Sequence, residues 1–77
     1  MFVIHFEMIH DQEVVNEFII DGGRLFASKG AAHRRLEEIG KTMEHTQTTM
    51  MPDKLIAQFG YGRGVWTLAE VTPPEED

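Results

Sequence analysis

Residues Phe2–Ile9 alternate in strict period two, with Phe2, Ile4, Phe6 and Met8 on one side and Val3, His5, Glu7 and Ile9 on the other. That pattern predicts a half-buried strand whose first set faces the core. His10-Asp11-Gln12-Glu13 is polar and predicts a turn, after which Val14–Ile20, β-branched and aromatic, predicts a second strand paired antiparallel to the first. On uninterrupted alternation Val14, Asn16, Phe18 and Ile20 share one side, and Val15, Glu17 and Ile19 the other. Asp21-Gly22-Gly23 is a turn signal, and Arg24–Ala27 reads as a short returning strand.

The pattern then changes period. From Ser28 to Met43, Ala32, Leu36, Ile39 and Met43 recur at helical spacing, with Arg34, Arg35, Glu37, Glu38 and Lys41 mostly off that stripe. Ser28 is the expected N-cap. Gly30 weakens the first turn. Gly40 is a competing stop, and the longer helix, running to about Glu44, is the expected form. His45–Asp53 is Thr-rich, contains Pro52 and has no period, so a loop is expected. Lys54–Phe59 reads as a strand, Gly60–Gly64 as a wide glycine-rich turn, and Val65–Val71 as a last strand.

The expected fold is therefore α+β: an antiparallel sheet of four to five strands in the order β-β-(β)-α-β-β, with one helix packed on one face. Residues 1–71 form a single domain, and residues 72–77, with Pro73, Pro74 and three acids, form a disordered acidic tail. Phe2, Ile4, Phe6, Phe18, Ile20, Leu36, Ile39 and Leu68 are the expected core. One helix covers one sheet face, so the other is left to solvent or to a partner.

Composition narrows what that bare face can do. The 77 residues carry no cysteine, which removes disulfides, thiolate metal sites and cysteine nucleophiles. No apolar run reaches the roughly 20 residues of a membrane span, and the N-terminus has no basic leader segment. A cytoplasmic protein is expected. The net charge of −6 is unevenly spread: residues 1–21 hold five acids and no Lys or Arg, residues 22–69 carry +3, and residues 70–77 carry −4. Such a chain is drawn to basic partners rather than to nucleic acid directly.

Glu7 and Glu17, with Glu13 if the second strand extends back to it, are expected to cluster on the bare side, with Asp11 at the hairpin tip. Such a patch can stand in for phosphates on a lysine- and arginine-rich surface. The plainer reading is a solvated sheet face, but a patch without interspersed basic residues is unlike ordinary mixed surfaces. The histidines show no metal-ligand spacing: His5 and Glu7 share a side, while His10, His33 and His45 are scattered. No metal or cofactor is expected. Arg34-Arg35 precedes Glu37 and Glu38 at ion-pair spacing and reads as a solvated helix face. Gly60-Tyr61-Gly62-Arg63-Gly64 is similar to an RGG-type nucleic-acid contact, though a glycine-permitted reversal explains it as well. An exposed Tyr61 and Arg63 there also suit protein binding. Ser28 is the only serine, and no carboxylate pair is marked out for acid–base work, so no enzyme is expected.

The strand pair Phe2–Ile20, the Asp21-Gly22-Gly23 turn, the helix Ser28–Met43 and the closing hairpin Lys54–Val71 together resemble the small phage-encoded inhibitor proteins, anti-CRISPR proteins among them. The resemblance lies in size, acidity, lack of cysteine and architecture across residues 1–71. It implies an inhibitor of a larger bacterial protein, acting in the host cytoplasm, often at a nucleic-acid-binding surface. Glu7, Glu13, Glu17, Asp11, Tyr61 and Arg63 are the expected partner-binding residues, read from the chain itself. Two alternatives stand beside it. One is a nucleic-acid-binding module using Arg34, Arg35, Arg63, Tyr61 and Trp66. The other is a structural domain in which the bare sheet face self-associates as a homodimer.

Overall fold

The structure, a computed structural model, describes residues 1–43 and 46–72. It contains β1 (Phe2–His10), β2 (Glu13–Ile19), a 3-10 turn (Ile20–Gly22), α1 (Lys29–Lys41), β3 (Gln47–Met50), β4 (Lys54–Phe59) and β5 (Gly62–Glu70). The five strands form one antiparallel sheet in the order β2-β1-β5-β4-β3, and α1 packs across β1, β5, β4 and β3. The α+β class and the single helix on an antiparallel sheet agree with the sequence pattern. The strand order around the helix does not.

Arg24–Ala27 forms no strand. Its only ladder contact is the bridge between Phe26 and Phe2, made by a reciprocal pair of backbone hydrogen bonds at 2.8 and 2.9 Å. This anchors Phe26 in the core, beneath Arg24, whose guanidinium lies 4.7 Å from the ring centroid. The fifth strand instead comes from the expected loop. Gln47–Met50 pairs with Leu55–Gln58 at the sheet edge and is exposed on both sides, so it carries no alternation to betray it.

The closing hairpin is tighter than expected. Phe59 pairs with Gly62 across Gly60-Tyr61, so Gly62-Arg63-Gly64 belongs to β5. A Cβ on Gly62 would collide with the carbonyl oxygen of Ile9. One on Gly64 would lie 2.9 Å from the Phe6 ring and 3.1 and 3.2 Å from those of Phe59 and Trp66. These glycines permit close approach of backbone and aromatic rings. At the other end, the β1–β2 turn uses Asp11 (φ 51°) and Gln12 (φ 67°), the two positive φ values that a type I′ hairpin demands, without the usual glycine.

The helix begins where expected: Ala31 N–H donates to Ser28 Oγ at 3.2 Å. Gly40 does not stop it. The helix ends one residue later at Lys41, short of Glu44, with the Thr42 hydroxyl donating to the Ile39 carbonyl at 2.7 Å. The connection into the helix is clamped by Arg35, whose Nε and Nη2 donate to the two Asp21 carboxylate oxygens at 2.9 and 3.1 Å while Nη1 reaches Glu38 at 3.3 Å. The hydrogen bonds from Arg35 hold the Asp21 carboxyl below the usual carboxylate range. Arg35 is thus committed to structure, whereas its neighbour Arg34 is exposed.

Ile4, Phe6, Ile20, Phe26, Ala32, Leu36 and Leu55 form the buried core, flanked by Phe2, Met8, Ile39, Met43, Trp66 and Leu68. Phe18 departs from expectation. It packs tilted against Phe6 with centroids 5.0 Å apart, but β2 is the edge strand and Phe18 remains half exposed. Residues 73–77, all of the expected tail but Thr72, lie outside the described residues. Among the described residues, no helix is long and apolar enough to cross a membrane.

Candidate binding face

Strand register decides which side chains share the uncovered face, because directly paired residues point the same way. Three rows run across it. The central row is Glu17–Glu7–Val65–Ile56–Thr49. Beside it lies Ile19–His5–Thr67–Lys54, and towards the hairpin tips Val14–Ile9–Arg63–Gln58–Gln47. Glu7 and Glu17 are therefore cross-strand neighbours, as the alternation predicted. His5 sits against both: its Nδ1 is 3.4 Å from Glu7 Oε1 and its Nε2 3.5 Å from Glu17 Oε2. Both ring nitrogens can donate only when the imidazole is protonated. The cluster then carries one net negative charge; with neutral His5 it carries two.

Glu13 is not part of this face. The ladder slips between Met8 and Ile9: Met8 pairs with Asn16 but Ile9 pairs with Val14, leaving Val15 as an extra residue. This bulge returns Val14 to the uncovered side and sends Glu13, paired with His10, to the other. The expectation of one acidic trio fails on that single inserted residue. The hairpin patch itself holds no Lys or Arg, as the sequence indicated, but the face extends beyond it. The same face carries Lys54 and Arg63, so its charge is divided into an acidic β1–β2 half and a basic, apolar and amide-bearing β5–β4 half.

Asp11 and Arg63 come together at the hairpin end, where both line an open groove with Ile9, Gln12, Gln58, Phe59 and Gly62. Tyr61 stands beside it, exposed, its ring stacked on Phe59 at 5.6 Å between centroids and 8° between planes. Five of the six expected binding residues thus occupy the open face or its tip. Sequence reasoning placed His5 beside Glu7 but missed its bridge to Glu17, and it missed Lys54 and Gln58. Their presence on the face depends on strand order, which short-range periodicity does not carry.

The residues of the nucleic-acid alternative are not brought together. Trp66 lies on the helix-covered side, 4.7 Å from Phe6 between centroids, and Arg35 is engaged by Asp21. Arg34 is on the helix, while Arg63 is on the opposite sheet face. Among the described residues, no group of three or more His, Asp or Glu side chains is arranged to hold a metal ion. Comparison with known proteins gives no relative: no family model, no curated protein and no solved structure matches this chain.

Proposed function

We propose that this protein is a non-catalytic inhibitor that lays the acidic β1–β2 half of its open sheet face against a basic, nucleic-acid-binding surface of a larger protein. The observation that carries the reading is the direct opposition of Glu7 and Glu17 on neighbouring strands. Like charges placed directly opposite each other cost a sheet stability. A lysine- or arginine-rich partner relieves that repulsion and gains from it. The resemblance to phage-encoded inhibitors, which implies action in the host cytoplasm, supports the choice of partner class.

Phosphate mimicry makes two demands that can be checked together. The captured partner is a nucleic-acid-binding protein, and DNA or RNA competes for the same surface. Tagged protein is incubated with bacterial lysate at low salt, washed, and eluted with nucleic acid, and the eluate is identified by mass spectrometry. Release of a nucleic-acid-binding protein from the wild type, and its loss from the Glu7→Lys/Glu17→Lys variant, is the expected result. Equal capture by wild type and variant, or capture indifferent to nucleic acid, removes the reading.

A further inference from the structure

We infer that the open sheet face is self-complementary and that two copies of this chain pack face to face on it. The face carries its acids, Glu7 and Glu17, on β1 and β2, and its bases, Arg63 and Lys54, on β5 and β4. Neither base has an ion-pair partner among the described residues. The same face holds Val65, Ile56, Ile9 and Ile19, apolar side chains left half-buried or exposed. A second copy supplies both what the charges lack and what the apolar side chains lack.

Charge and register place the axis. A two-fold that lies in the interface and runs along the strands keeps the two sheets aligned, as face-to-face packing requires. Set on β1, it would bring Glu7 against its own copy; set on β5, it would do the same to Arg63. Set between β1 and β5, it exchanges β1 with β5 and β2 with β4 within each row. Glu7 then faces Val65 of the second copy, and Glu17 faces its Ile56. Arg63 and Lys54 stand two residues along those same strands, about 6.8 Å away and within reach of long side chains. Glu7 therefore meets Arg63 and Glu17 meets Lys54 across the interface, and symmetry repeats each pair. Ile9 and Ile19 face Arg63 and Lys54 and pack on their aliphatic stems. Self-pairing covers the acidic half until a more basic surface displaces it. The inference does not rest on partner capture, because the dimer needs Lys54 and Arg63 and capture by the acidic half does not.

The test is light scattering coupled to size exclusion on the purified protein at low salt, over a concentration series reaching about 1 mM. Circular dichroism confirms folding. The wild type is expected to shift from monomer to dimer, and added salt is expected to weaken the dimer. Lys54→Glu/Arg63→Glu and Glu7→Lys/Glu17→Lys are each expected to lower dimer affinity by about tenfold or more. Mixed in equal amounts, the two variants are expected to pair with each other, since one face is then wholly acidic and the other wholly basic. A wild type that stays monomeric throughout the series overturns the inference. So does a dimer that either variant retains, or a mixture of folded variants that stays monomeric.

Discussion

The two faces of the sheet handle the same neighbouring positions in opposite ways. Under the helix, Gly64, Phe6, Trp66 and Phe59 are packed so closely that one added methyl group has no room, and among the described residues no buried one is polar or charged. On the open side, one residue along the same strands, Glu7 and Glu17 confront each other around His5, with Arg63 on the adjacent strand β5 and Lys54 on β4 beyond it. The covered face answers to shape and the open face to charge. Substitutions that change volume should therefore act on stability, and substitutions that change charge should act on binding.

The largest effect expected from breaking this contrast is at the β5 glycines. Gly62→Ala drives a methyl group into the Ile9 carbonyl, a backbone atom that cannot rotate away, and is expected to cost about 3 kcal/mol. Gly64→Ala meets three rings that can shift partly, and about 2 kcal/mol is expected. Urea denaturation followed by circular dichroism measures both. Equal tolerance of Ala at the two sites would contradict close packing under the helix.

Asp21→Asn comes next. It keeps a side chain suited to positive φ but loses the two-pronged charge pairing with Arg35, for about 1 kcal/mol at a partly exposed pair. Since the folded-state carboxyl titrates below its unfolded value of about 3.9, the pair's contribution is present above that pH. It is lost as pH falls through the lower folded value. Wild type and variant should therefore differ at pH 7, and the gap should narrow as pH falls below the unfolded value in thermal melts.

Gly40→Ala sharpens the comparison from the opposite direction. Its new methyl group would sit 3.9 Å from Leu55 and Met50 side chains, an ordinary contact, in a helix that continues through this position. A gain of about 0.5–1 kcal/mol in the same denaturation experiment is expected. The smallest effect is on the open face: at pH 8, Glu17→Gln should raise stability by a few tenths of a kcal/mol by removing the repulsion from Glu7. The same change should weaken partner capture, a trade that a merely solvated face would not show.

How much of this was legible in the chain follows from where each signal lies. β1, the β1–β2 hairpin, the Ser28 cap and the helical stripe are local patterns, and they were readable. β3 was not, because an edge strand exposed on both sides needs no alternation. The start of β5 was misread because glycines that admit neighbouring rings look, in sequence, like glycines that make turns. Glu7 and Glu17 could be paired from alternation alone. Glu13 could not be excluded, since two consecutive valines, Val14 and Val15, conceal the bulge that turns it away. The Asp21–Arg35 clamp spans 14 positions and depends on the turn geometry that brings the residues together.

The bulge also supplies the most direct test of the open face as the binding surface. Glu13→Lys and Glu17→Lys change the net charge equally, but only Glu17 lies on that face. The measurement is the affinity of the captured partner for each variant as a function of salt. Binding through the open face predicts that Glu13→Lys retains wild-type affinity within about twofold, while Glu17→Lys lowers it by at least about tenfold and flattens the salt dependence. Equal losses from the two substitutions would mean that the partner responds only to overall charge, and would contradict a binding site built on Glu7 and Glu17.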